Sequence, residues 1–224
     1  MAQLATTTNR TGERRLRMTY EEFLASEVSE SHAEWVDGEV TVFMPQNLEH
    51  HDIVNFLYEI LSLLLRRTGA GKVLNAPFEM RLSSRSSREP DLLVVKREHI
   101  NRLDGQRLNG PADLAIEVIS PESVTRDRSE KLAEYEAAGV REYFLVDPRR
   151  RARNSILYRL NDDGRYEIVP PDADGRYRFR VLPGFWLDES WLWQDPLPDP
   201  LDVLADIAPE HFGGYKRASG QPHR

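Results

Sequence analysis

The sequence predicts an α/β (α+β) protein, a mixed β-sheet flanked by helices, because helical segments both precede and interrupt the strands. Three observations carry this. Ile53, Phe56, Leu57, Ile60, Leu61 and Leu64 fall at helical spacing, with Gly69 as a stop. The apolar runs at 90–96 and 113–119 read as strands. Asp37-Gly38, Asp162-Asp163-Gly164 and Asp172 to Gly175 mark tight turns between β-rich runs.

In chain order, Thr19 and Glu22 are spaced as the capping box of a short helix. Glu34 to Phe43 then reads as a hairpin turning at Asp37-Gly38, followed by the helix through Ile53 to Leu65. Strands are expected over 72–82, 90–96 and 113–119, with a polar loop running to Pro111. Asp127 and Glu130 suggest a second capping box, opening a helix that ends at Ala138 with Gly139 beyond it. Val140 to Val146 is a further strand closed by Asp147-Pro148, and β-rich runs follow at 154–160, 165–169 and 176–182. One domain over 18–212 is expected, between flexible segments at 1–17 and 213–224.

Composition narrows the function. The chain has 224 residues, enough for one full core, and no cysteine, so disulfides, thiolate zinc sites and cysteine nucleophiles are excluded. A metal would need oxygen or imidazole ligands. A net charge of −7 argues against a general coat for polyanions, though not against a local basic groove. Met1 to Arg17 has no hydrophobic signal core and no apolar run is long enough to span a bilayer, so a cytoplasmic protein without a membrane partner is expected.

The two apolar strands each carry a carboxylate where periodicity predicts burial: Asp91 in the first and Glu117 in the second. Burying an unpaired carboxylate is costly, so each should have a partner. Alternation places Asp91 with Leu93 and Val95, and Glu117 with Asp113, Ala115 and Ile119. If the strands are neighbours, the two acids can converge on one cation, and hard oxygen donors suit Mg²⁺. The plainer alternative makes Asp91 a strand-start residue and Glu117 a sheet-edge or salt-bridge residue.

Pro90-Asp91, Glu117-Val118-Ile119-Ser120-Pro121, Arg126-Asp127-Arg128 with Lys131 and Tyr135, Gly139-Val140-Arg141-Glu142-Tyr143 and Val146-Asp147-Pro148 occur in that order. Together they resemble the Uma-two family of the PD-(D/E)XK nuclease superfamily. Glu34-Trp35-Val36-Asp37-Gly38, and His50 with Ile53 and Leu57, look like the family's N-terminal pattern. The resemblance implies a restriction-endonuclease-like core and Mg²⁺-dependent endonuclease activity, with Mn²⁺ as a substitute, on nucleic acid, with DNA the first expectation. It implies Asp91, Glu117 and the Val118 carbonyl as metal ligands. The lysine that the superfamily carries two residues after the glutamate is replaced by Ile119. Lys131, in the next helix, is the substitute, against an alternative in which it merely pairs with Asp127 for ~0.2–0.5 kcal/mol. Glu34 would be a third acid or a hairpin residue; His50 would be a catalytic base or a satisfied core histidine, with His51 facing solvent.

Arg81, Arg85 and Arg88 suggest a phosphate track beside Asp91, whereas Arg149, Arg150, Arg151 and Arg153 read as a solvated turn. Trp186, Trp191 and Trp193, without basic interleaving, suggest core or dimer packing more than base stacking. Such nucleases often act as homodimers to cut two strands, which the sequence neither supports nor excludes. A non-catalytic binding or assembly module that keeps the fold is the rival: the absent strand lysine favours it, and the joint retention of Asp91, Glu117, Lys131 and Glu34 favours the enzyme.

Overall fold

The structure, a computed structural model, describes residues 7–8, 14–42, 47–121 and 123–215. Its strands are β1 (Thr7–Thr8), β2 (Arg14–Arg17), β3 (Ala33–Val36), β4 (Glu39–Val42), β5 (Gly71–Asn75), β6 (Glu79–Ser83), β7 (Ser86–Arg88) and β8 (Leu92–Lys96). They continue as β9 (Arg107–Asn109), β10 (Leu114–Val118), β11 (Glu142–Asp147), β12 (Asn154–Leu160), β13 (Tyr166–Val169), β14 (Arg176–Arg178) and β15 (Trp186–Asp188). The helices are α1 (Tyr20–Leu24), α2 (Leu48–Thr68), α3 (Lys131–Ala138), α4 (Pro200–Ile207) and α5 (Pro209–Phe212).

One sheet has the order β13-β12-β11-β10-β8-β5, with β10 and β11 parallel and the other pairs antiparallel. A second has the order β1-β2-β4-β3-β7-β6-β9, with β6 and β9 parallel, and β14 and β15 form a separate antiparallel pair. On one face of the first sheet, Ile53, Phe56, Leu57, Ile60, Leu61 and Leu64 of α2 pack over Leu92, Val94, Leu114, Ile116 and Val118. On the other, Leu93, Val95, Ala115 and Ile119 meet Tyr135 of α3 and Met80 and Leu108 of the second sheet. The alternation read from the sequence is thus realised, with both faces covered.

Local signals explain the elements. Thr19 and Glu22 form the reciprocal capping box of α1. Asp37 (φ 50°) and Gly38 (φ 82°) make the β3–β4 turn, where positive φ at both positions matches the strand twist. Asn47 caps α2 through the His50 amide, and Gly69 (φ 67°) ends it in the left-handed conformation. His50 lies on the buried stripe, and His51 is exposed.

Three expectations are corrected. The strand expected over 72–82 is broken after Asn75: β5 joins one sheet and β6 the other, with Pro77, which has no amide to donate, in the break. Asp127 does not cap a helix; it sits inside a π turn, Arg126–Glu130, that leads directly into α3. Within 1–17, Arg14–Arg17 forms β2, which pairs with β4 and buries Leu16. The tryptophans do have basic neighbours, since Arg176 lies 4.1 Å over Trp186 and Arg153 lies 5.4 Å over Trp193. Phe43 and the ends of the two expected flexible segments lie outside the described residues. Among those described, no helix is long and apolar enough to cross a membrane.

Gly71 pairs with Lys96 where β5 meets β8, and a Cβ there would overlap the Val95 carbonyl oxygen. Gly71→Ala is therefore expected to cost about 1–3 kcal/mol, as overpacking does. Urea denaturation measures this, and an unchanged midpoint would refute the close approach.

Candidate active site

The register of β8 and β10 sets the site. Leu114 pairs with Val94, Ala115 with Leu93 and Ile116 with Leu92, so one further step places Asp91 opposite Glu117 with both side chains on the same face. The ladder ends there. The Val118 amide donates to Asp91 Oδ2 at 2.7 Å, in place of a strand carbonyl. Asp91, Glu117 and Val118 line one cavity of about 20 Å³ with His32, Glu89, Ser123, Arg126, Asp127 and Lys131, space for one water-sized occupant. Both acids face the same cavity.

Lys131 meets them from the first residue of α3. Its Nζ lies 2.8 Å from Glu117 Oε1, 2.9 Å from Glu34 Oε1 and 3.7 Å from Asp127 Oδ1. The pair with Asp127 exists, but it is the longest of three contacts and none of them is exposed, since the Lys131 side chain is only 4% accessible. The picture of a weak surface pair is therefore wrong for this lysine. Ile119, where a strand lysine was expected, is buried in the apolar core between the sheets. Tyr135, one helical turn beyond Lys131, donates to Glu117 Oε1 at 2.8 Å.

His50 Nε2 lies 3.1 Å from Asp91 Oδ2, and its Nδ1 is buried without a partner among the described residues. His50 thus sits on the buried α2 stripe and contacts Asp91. Glu34 comes from β3 and is buried beside Arg88 and Lys131, not paired with a surface cation. Its Oε2 accepts from Arg88 at 2.8 Å and its Oε1 from the Glu89 amide at 3.2 Å.

Arg88 overturns part of the expected phosphate track. It is buried between Glu34 and Glu134, donating to Glu134 at 2.9 Å and 2.6 Å, and so has no face for phosphate. Arg85 pairs with Asp37, and Arg81 stacks 3.5 Å over the Tyr20 ring. In the 149–153 turn, Arg149 holds Asp147 and Arg153 holds Glu49, as a structural turn should. Glu89, His32 and Ser123 were missed as site neighbours. Only the Glu89-Pro90-Asp91 adjacency could have signalled one of them.

Burial dominates the electrostatics. It pushes Glu117 up to about 8; Lys131 pulls against this, and Asp127, Asp91 and Glu34 add to the rise. Burial also lifts Glu89 to about 8, aided by Glu34. Burial would raise Asp91 and Glu34 as well. Instead the His50 hydrogen bond holds Asp91 below the usual carboxylate range, and Lys131 and Arg88 hold Glu34 below it. Burial opposes the Lys131 charge, but Glu117, Glu34 and Asp127 keep its pKa above the ordinary lysine value.

Among the described residues, no group of three or more His, Asp or Glu side chains is arranged to hold a metal ion. Mg²⁺ needs only one or two carboxylates. Protein donors occupy Asp91 Oδ2 and Glu117 Oε1, leaving Oδ1 and Oε2 without a donor among the described residues. This all-oxygen pair fits a small hard cation.

The mixed α/β fold, with these acids and a lysine at the end of one strand pair, defines a protein of the restriction-endonuclease-like class. The chain belongs to the Uma2 family, described as "Putative restriction endonuclease", whose model matches residues 20–190. It is similar in structure to a protein from Anabaena variabilis ATCC 29413 described as a putative nuclease belonging to DUF820. The TM-score is 0.64 at 18% identity, over 79% of this chain and 97% of that one, a likeness of fold. Comparison with curated proteins gives no match.

Proposed function

We propose that this protein is a Mg²⁺-dependent endonuclease that hydrolyses phosphodiester bonds in nucleic acid, with DNA as the foremost substrate and Mn²⁺ able to replace Mg²⁺. The observation that carries this is Lys131 Nζ, held between Glu34 and Glu117 beside Asp91. An isolated structural ion pair needs neither the third acid nor a second strand.

In this reading Asp91, Glu117 and the Val118 carbonyl would hold the ion. When bound, such an ion lowers the pKa of water and offsets charge on a phosphoryl oxygen. The chain's own groups do the positioning. Lys131 presents an ammonium to the attacking water and to the charge developing on the phosphate. Glu34 orients Lys131 from behind, while His50 and the Val118 amide fix the Asp91 carboxylate. Among the described residues, the cavity wall carries four carboxylates, Glu89, Asp91, Glu117 and Asp127, against the cations Arg126 and Lys131. A phosphate therefore enters favourably only with a divalent cation.

The test is incubation of the purified protein with single- and double-stranded DNA and RNA in Mg²⁺, Mn²⁺ or EDTA. Cleavage is expected with either ion, none in EDTA, and none from Asp91→Asn in any condition. If wild type leaves every form intact yet captures a specific protein, the chain is a binding module instead. We place its action in the cytoplasm. Cutting both strands of a duplex in one encounter would need a second copy, which sedimentation with substrate measures.

A further inference from the structure

We propose that Arg150 and Arg151 hold the nucleic-acid backbone beside the cut, each guanidinium donating to a phosphate that flanks the scissile one. This rests on the nuclease function proposed above and adds the surface on which the substrate lies.

Sheet topology supplies the place. β10 and β11 are parallel, with Glu117 opposite Leu145 and Val118 opposite Val146, so β11 leaves the sheet at the end where the site is built. The chain turns there and returns as β12, pairing Asp147 with Asn154. Arg128, from the π turn that leads to Lys131, donates to Asp147 at 2.8 Å and to Asn154 at 3.2 Å. From the other side, Arg153 donates at 3.0 Å to Glu49, the neighbour of His50 in α2. The turn is thus tied to the starts of both helices that bring side chains to the site.

Its internal bonds decide which arginines are presented. Arg149 grips Asp147 bidentately, at 2.8 Å and 2.7 Å. The Ala152 amide donates to the Arg149 carbonyl at 2.8 Å, closing a β-turn with Arg150 and Arg151 at its two central positions. Both are exposed, and among the described residues neither has a hydrogen-bond or ion-pair partner. Carboxylates are close by, since Arg150 lines a groove with Glu49, Asp52, Glu59 and Asp195. Those acids repel phosphate from the groove, so the strand passes over the turn. Arg81, Arg85 and Arg88 are engaged elsewhere. In a chain of net charge −7, two unengaged arginines on an anchored turn beside the site are the cationic surface that a polyanion needs.

The experiment measures kcat and KM of wild type, Arg150→Ala/Arg151→Ala and Arg150→Lys/Arg151→Lys on a labelled DNA oligonucleotide, or on RNA if only that is cut. Kd at several salt concentrations is read by fluorescence anisotropy in an Asp91→Asn background. The alanine pair should raise KM on the order of tenfold while kcat at saturation stays close to wild type. Its log Kd should depend less on log salt, the slope falling by about 1.8 for a duplex or about 1.4 for a single strand, the loss of two phosphate contacts. The lysine pair keeps both charges and should keep most of the slope. Arg66→Ala/Arg67→Ala removes the same charge from the exposed last turn of α2, at the far end from His50, and should leave KM and slope as in wild type. An alanine pair with wild-type KM and slope overturns the assignment, as does an equal change in the Arg66 and Arg67 variant or a loss of kcat with the slope unaltered. A wild type that cleaves no DNA or RNA overturns the nuclease function itself, a result visible before any variant is compared.

Discussion

Replacing Glu117 with Gln is expected to lower metal-dependent cleavage about 10³-fold or more while the protein stays folded. An amide keeps the shape of the side chain but removes the negative charge, and with it most of the affinity for a hard cation. Metal-ion charge stabilisation is worth several kcal/mol, and ~1.4 kcal/mol is a factor of ten in rate. Stability should change little, because burial already disfavours the Glu117 charge, pushing its pKa up to about 8, and Lys131 keeps Glu34 and Asp127 as partners. Tyr135 can still donate to the amide oxygen. The rate on a labelled oligonucleotide in Mg²⁺ and the urea midpoint measure the two halves. Activity within tenfold of wild type would remove Glu117 from the chemistry.

Lys131→Met is expected to fail on both counts, losing cleavage and about 3–5 kcal/mol of stability, the cost of leaving buried charge without its partner. Glu34 and Glu117 would face each other across the site with no cation between them, and only Glu34 would keep a counter-charge, from Arg88. Because the penalty comes from the stranded carboxylates, adding Glu117→Gln to Lys131→Met should restore part of the stability, a coupling that a double-mutant cycle reads directly. A single variant with wild-type stability would show that the three groups do not form one network.

Much of the fold was legible because its signals are local. The Asp37-Gly38 turn, the Thr19–Glu22 box, the α2 stripe and the Gly139 stop (φ 85°) each depend on a few neighbouring residues. The break between β5 and β6 was not legible: both halves read as strand, and only tertiary pairing assigns them to different sheets. Asp127 and Glu130 imitated a capping box, but the helix had already begun; no local pattern announces a π turn. At the site, alternation found Asp91 and Glu117 because strand neighbours share faces. Arg88 was misassigned because its partners, Glu34 and Glu134, lie 54 and 46 residues away, and a buried bridge of that span looks in sequence like a surface arginine.

The central claim, that Asp91 and Glu117 share one catalytic cation, is tested most directly by a crystal structure grown with Mn²⁺ and measured at its absorption edge. The account predicts one anomalous peak between Asp91 Oδ1 and Glu117 Oε2, each oxygen at a bonding distance of roughly 2.0–2.3 Å, as for small hard divalent ions. Both carboxylates bound only by their present partners, with the peak absent or elsewhere on the chain, would contradict it.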